Sequence, residues 1–114
     1  MEFNGAQLLV EGMKLEGAKY LFGTSATATL PVLDVVYSTP QIEYIQSQHE
    51  QGAMYMTNGH ARATGKVSFC LVGPGPGTTN CQSGMAQAFY TFVPSMLIAI
   101  EDGVGFHINL TISC

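Results

Sequence analysis

The sequence is short of positive charge, of cysteine and of long apolar runs, and each shortage removes a class of function. Four basic side chains, Lys14, Lys19, Arg62 and Lys66, are scattered over 114 residues against eight acids, giving a formal net charge of −4. A nucleic-acid surface needs clustered lysine and arginine, so that partner class is excluded. The three cysteines, Cys70, Cys81 and Cys114, stand at unrelated spacings. They offer neither a disulfide framework nor zinc-ligand spacing, and they read as thiols of a reducing, cytoplasmic compartment. The longest apolar stretch, Phe92 to Ile100, is interrupted by Pro94 and Ser95, and Met1 to Val10 carries no basic region. Neither a membrane span nor a signal peptide is expected.

Other chemistries fail on spacing. His49 and His60 share a helix azimuth, but eleven helical residues separate them by about 16 Å, too far for one metal ion. No serine or cysteine stands at a meaningful distance from a base, so a hydrolase triad cannot be argued.

What the chain does have is a globular, apolar composition, with 46% hydrophobic and 11% charged residues. At this length it makes one domain at most, with some apolar surface left for a partner.

The residue pattern alternates helix and strand. Asn4 can cap a helix through Leu8, Leu9 and Met13 that stops at Gly17, and Lys19 to Phe22 reads as a strand. Gly23 to Thr29 is a loop, and Pro31 sits where a helix running to Pro40 can begin. Ile42 to Gln46 is the next strand, and His49 to Thr64 a helix whose Gly52 and Gly59 share a face, expected to pack closely. Val67 to Val72 has the continuous apolarity of a strand covered on both faces. The loop Gly73 to Gly77, one helix from Thr78 to Phe92 and a strand from Ser95 to Ile100 complete the order αβαβαβαβ. This alternation predicts an α/β fold, a parallel sheet with helices on both faces. Ligands of such sheets bind beyond the carboxyl ends of the strands, which gathers the loops 23–29, 47–50 and 73–80 at one edge.

Glu50 is the acid best placed at that edge. Read alone, it is a first-turn carboxylate complementing a helix dipole. Likewise, the loop Gly73 to Gly77 read alone is a tight turn, because its spacing fits neither phosphate-binding glycine pattern.

Five ordered runs change both readings: Gly5 to Val10, Tyr20 to Gly23, His49 to Ala53, Gly59 to Gly65 and Gly75 to Asn80. Together they resemble the pyrimidine-binding domain of thiamine-diphosphate enzymes of the acetolactate-synthase type, over roughly residues 5 to 100. The resemblance implies that Glu50 hydrogen-bonds N1′ of the cofactor's aminopyrimidine. A carboxyl donating there favours the imino tautomer, which can remove the thiazolium C2 proton. That role expects a Glu50 that keeps its proton, as a dry apolar pocket would encourage. The resemblance also implies cofactor contacts for Gly75, Pro76, Gly77 and Asn80, and places Thr24 and Ser25 at the substrate.

Departures set further expectations. Gly23-Thr24-Ser25-Ala26 stands where relatives have a proline-glycine turn, and Glu101-Asp102-Gly103 replaces a glycine-glutamine segment. The Gly-Asp-Gly to Asn motif that holds the diphosphate and Mg²⁺ in such enzymes does not occur in the sequence. Residues 1–103 are therefore expected to be a partial pyrimidine-binding domain and 104–114 an irregular tail, leaving the sheet open at one edge and the chain inactive alone. A diphosphate-binding domain or subunit is the implied partner, in a homo- or hetero-oligomer. The alternatives are a short subunit of a split 2-oxo acid decarboxylase and a non-catalytic remnant or interaction module.

Overall fold

A computed structural model describes residues 2–101 and 108–113. Asn4 begins the first helix as its residue type predicts. Its side chain accepts the Gln7 N–H at 2.9 Å while Gln7 Oε1 accepts the Asn4 N–H at 2.9 Å, which satisfies two amides left free at a helix start. The elements are α1 (Gly5–Leu15), β1 (Tyr20–Gly23), a 3₁₀ turn (Thr27–Thr29), α2 (Leu30–Tyr37), β2 (Glu43–Gln46), α3 (Glu50–Thr64), β3 (Ser68–Val72), α4 (Pro76–Thr79), α5 (Gln82–Tyr90), β4 (Ser95–Ile100) and β5 (Ile108–Ser113).

The strands lie in the order β2-β1-β3-β4-β5, and the first four are parallel. Because side chains alternate across a strand, the sheet divides its apolar residues between two faces. Leu21, Phe69, Leu71, Ile98 and Ile100 meet Val10 and Met13 of α1 and Val32 and Val36 of α2. On the other face Cys70, Val72, Leu97 and Ala99 meet Ala53 and Met54 of α3 and Cys81. All five residues of β3 are buried, as expected for a strand covered on both sides. The α/β class and the layered parallel sheet are those the sequence implies.

Three expectations fail. The segment 104–114, read as an irregular tail, supplies a strand at Ile108–Ser113 that pairs antiparallel with β4, from Ser95 with Ser113 to Ile100 with Ile108. The edge of β4 is therefore covered; the rest of that tail lies outside the described residues. The helix expected over Thr78 to Phe92 is two helices. The Cys81 N–H bonds to Thr78 O at 3.1 Å, a tighter pairing than the α-helical one, and the α-helical run is interrupted there. Finally, no backbone makes the close approach expected at Gly52 and Gly59. A Cβ on Gly59 would meet nothing within 4 Å, and one on Gly52 would meet only Ser47 Oγ, whereas Gly84 of α5 lies against Met54 of α3. No helix among the described residues is long and apolar enough to cross a membrane.

Candidate functional site

The carboxyl ends of β1, β2 and β3 deliver three loops to one place, and Glu50 stands at their junction. It is the first residue of α3, directly after the cap His49, whose Nδ1 accepts the Gln51 N–H at 3.1 Å. This anchors the helix start and fixes where the glutamate leaves the backbone. The Thr24 hydroxyl, one residue beyond β1, donates to Glu50 Oε1 at 3.2 Å. The Asn80 amide, at the end of α4, donates to Oε2 at 3.1 Å. Beneath the turn, the buried Cys81 thiol lies 3.6 Å from both the Glu50 and the Gly77 carbonyl oxygens.

The loop after β3 is shaped by its glycines. Gly75 caps α4 with φ +61°, a backbone that side chains rarely adopt, and Pro76 occupies the first helical turn. The Thr78 hydroxyl bonds back to Gly73 O at 3.1 Å and closes the turn. Gly77 then lies beside the carboxylate, where a Cβ would sit 3.7 Å from Glu50 Oε1, an ordinary contact distance. The missing side chain leaves one flank of the carboxyl open.

Burial acts to raise the Glu50 pKa, but its own backbone N–H, the Asn80 amide, the Thr24 hydroxyl and the neighbouring His49 outweigh it and bring the group below its ordinary value. The dry apolar pocket that a proton-retaining Glu50 needs is therefore not formed by this chain's described residues alone. The half-buried carboxyl is surrounded by donors, and donors favour the charged form.

Of the residues singled out in the sequence, Glu50, Thr24, Gly77 and Asn80 come together. Gly75 and Pro76 are exposed on the rim, where they shape the loop. Ser25 turns away, its hydroxyl donating to Gln46 Oε1 at 2.9 Å on an exposed surface. Thr24, assigned to substrate by position, spends its hydroxyl on Glu50. Cys81 was missed as part of this site, and its signal was its place directly after Asn80. Among the described residues no group of three or more His, Cys, Asp and Glu side chains could hold a metal ion.

Comparison with known proteins meets this geometry. Residues 3–106 match the family described as thiamine pyrophosphate enzyme, N-terminal TPP binding domain. The acetolactate synthase large subunit of Haemophilus influenzae is 39% identical over 98 residues, which cover 86% of this chain and 17% of that protein. The isozyme 2 large subunit of Escherichia coli is 39% identical over 95 residues, covering 83% and 17%, and the acetolactate synthase of Mycobacterium avium is 34% identical over 104 residues, covering 91% and 16%. The chain thus spans about a sixth of the length of these relatives. With the parallel sheet and the matched residues in agreement, the chain belongs to the thiamine pyrophosphate enzymes, as their N-terminal TPP-binding domain.

Proposed function

We propose that this chain supplies the aminopyrimidine half of a thiamine-diphosphate site in an acetolactate-synthase-like enzyme acting on 2-oxo acids. The observation that carries the reading is the Glu50 carboxyl at the carboxyl edge of the sheet, held by Thr24 and Asn80 and left open on the side of Gly77. A planar heteroaromatic ring fits that flank because no Cβ intervenes, and the carboxyl offers its ring nitrogen a hydrogen-bonding partner. Glu50 and Asn80 would hold the aminopyrimidine, with Gly75, Pro76 and Gly77 forming the wall beside it. When bound, thiamine diphosphate supplies a nucleophilic carbon for attack on 2-oxo acids.

The protein's own contribution is placement of one proton. Glu50 gives or takes a proton at the pyrimidine nitrogen, and Thr24 and Asn80 keep the carboxyl pointed there. Because these donors lower the pKa in the chain by itself, a protonated Glu50 requires that a partner surface exclude water from the open side. That partner is the diphosphate- and Mg²⁺-binding domain or subunit, in a homo- or hetero-oligomer within the cytoplasm. Exposed Tyr55, Phe89, Tyr90 and Phe92 on α3, α5 and the turn that follows support a covered face. Residues 1–103 form the cofactor-binding unit in this reading, and the chain alone does not turn over substrate.

The test is Glu50→Gln in the complete enzyme. Turnover is expected to fall by at least about 10²-fold, the scale of one lost acid–base group, with the fold intact. Near-normal turnover would remove Glu50 from the reaction.

A further inference from the structure

The two oxygens of the Glu50 carboxyl are not equivalent. Oε2 accepts from the Asn80 amide at 3.1 Å, and Oε1 accepts from the Thr24 hydroxyl at 3.2 Å. Oε1 is also the oxygen beside Gly77, where a Cβ would sit 3.7 Å away. The two donors differ in what else they can do. An amide nitrogen only donates, whereas a hydroxyl donates through its hydrogen and accepts through its lone pairs. Rotation about one C–O bond takes Thr24 from the first role to the second while its oxygen stays in place.

That difference decides where a proton on Glu50 resides. A proton on Oε2 would meet the Asn80 N–H, donor against donor, and would strand that amide in a half-buried site. A proton on Oε1 leaves the Asn80 bond intact, now to a carbonyl oxygen. The Thr24 hydroxyl then either turns to accept the proton or keeps to the lone pair that remains on Oε1.

We propose that Thr24 is a positioning residue for proton transfer at Glu50: the transferable proton resides on Oε1, on the Gly77 side, and the Thr24 hydroxyl holds that oxygen in both its charged and its protonated form. This rests on the proposed function, in which Glu50 exchanges one proton with the pyrimidine nitrogen. The proton leaves Oε1 for that nitrogen, the carboxylate stays on Glu50, and Thr24 donates to the charge so formed.

The first readout needs no cofactor. In the full chain, isotope-edited infrared difference spectra between the parent and Glu50→Gln isolate the protonated Glu50 carboxyl below its titration. The C=O stretch belongs to Oε2, so Asn80→Ala should move it to higher wavenumber and Thr24→Val should leave it in place. Any other pattern would put the proton elsewhere and overturn the proposal. The second readout is hydrogen–deuterium exchange at C2 of thiamine diphosphate in the complete enzyme. Thr24→Val should slow it about tenfold with cofactor affinity unchanged, the scale of one hydrogen bond to a charged group. Thr24→Ser, which keeps the hydroxyl, should restore the rate, and Thr24→Val should add nothing in a Glu50→Gln background. A loss of cofactor affinity in place of the slower rate would mark a packing role and overturn the proposal. Parent-rate exchange in Thr24→Val beside a slowed Glu50→Gln would overturn it and leave the proposed function standing, whereas parent-rate exchange in Glu50→Gln would remove both.

Discussion

Glu50 is an acid whose neighbours decide its charge. Removing a donor should move it toward the ordinary carboxylate value. Asn80→Ala is expected to raise its pKa and Thr24→Val to raise it less, both read by carboxyl-carbon NMR in the chain alone. An unchanged or lowered Glu50 pKa in Asn80→Ala would contradict the hydrogen-bond account. Because the folded-state pKa lies below the ordinary carboxylate value of 4.5, the carboxylate contributes stability that is fully present above that value and is lost as pH falls through the folded pKa. The stability difference between the parent and Glu50→Gln should therefore shrink on acidification below about pH 4.5 in urea melts, and stay flat above it. Gly77→Ala separates binding from folding. The added Cβ makes only an ordinary contact with Glu50, so stability should change by no more than about 1 kcal/mol. The open flank would be filled, however, and thiamine diphosphate affinity in the complete enzyme should drop. At this scale the sequence named Glu50 and Asn80 through the runs that contain them. It gave no sign that the Thr24 hydroxyl bonds to Glu50, because a hydroxyl one residue past a strand does not reveal which neighbouring loop it will meet.

Among the elements, the alternating helices and strands were legible because each carries its own signal, such as the Asn4 cap or the unbroken apolar run of β3. The break between α4 and α5 was not, since Asn80 and Cys81 are compatible with a continuing helix and nothing local in the sequence marks an interruption. Nor was β5, whose pairing depends on a neighbour already in place. A buried polar link ties α3 to α5 and β4. The Asn58 amide donates to Gly84 O at 2.8 Å, and the Ser95 hydroxyl donates to Asn58 Oδ1 at 2.8 Å. Asn58→Ala would strand both partners, and a loss of about 2–4 kcal/mol is expected in chemical denaturation. A loss under about 0.5 kcal/mol would show that these groups find other partners. By contrast Asn4→Ala, at an exposed helix start, should cost about 1 kcal/mol.

The whole molecule presents a finished set of contacts to Glu50 on one side and an open flank on the other. That asymmetry is what the proposed function, a cofactor site shared between two domains, requires of either half. Its family, layered sheet and site edge were all readable in 114 residues, because they rest on local patterns and on a topology with few alternatives. The protonation state of Glu50 was not, since it depends on what covers the open side. The most direct measurement is the rate of hydrogen–deuterium exchange at C2 of thiamine diphosphate in the complete enzyme, compared with Glu50→Gln. The account predicts that the variant still binds cofactor but exchanges at least about 10²-fold more slowly. Exchange at the parent rate with cofactor bound would contradict it, and would return Glu50 to the role of a helix-start carboxylate.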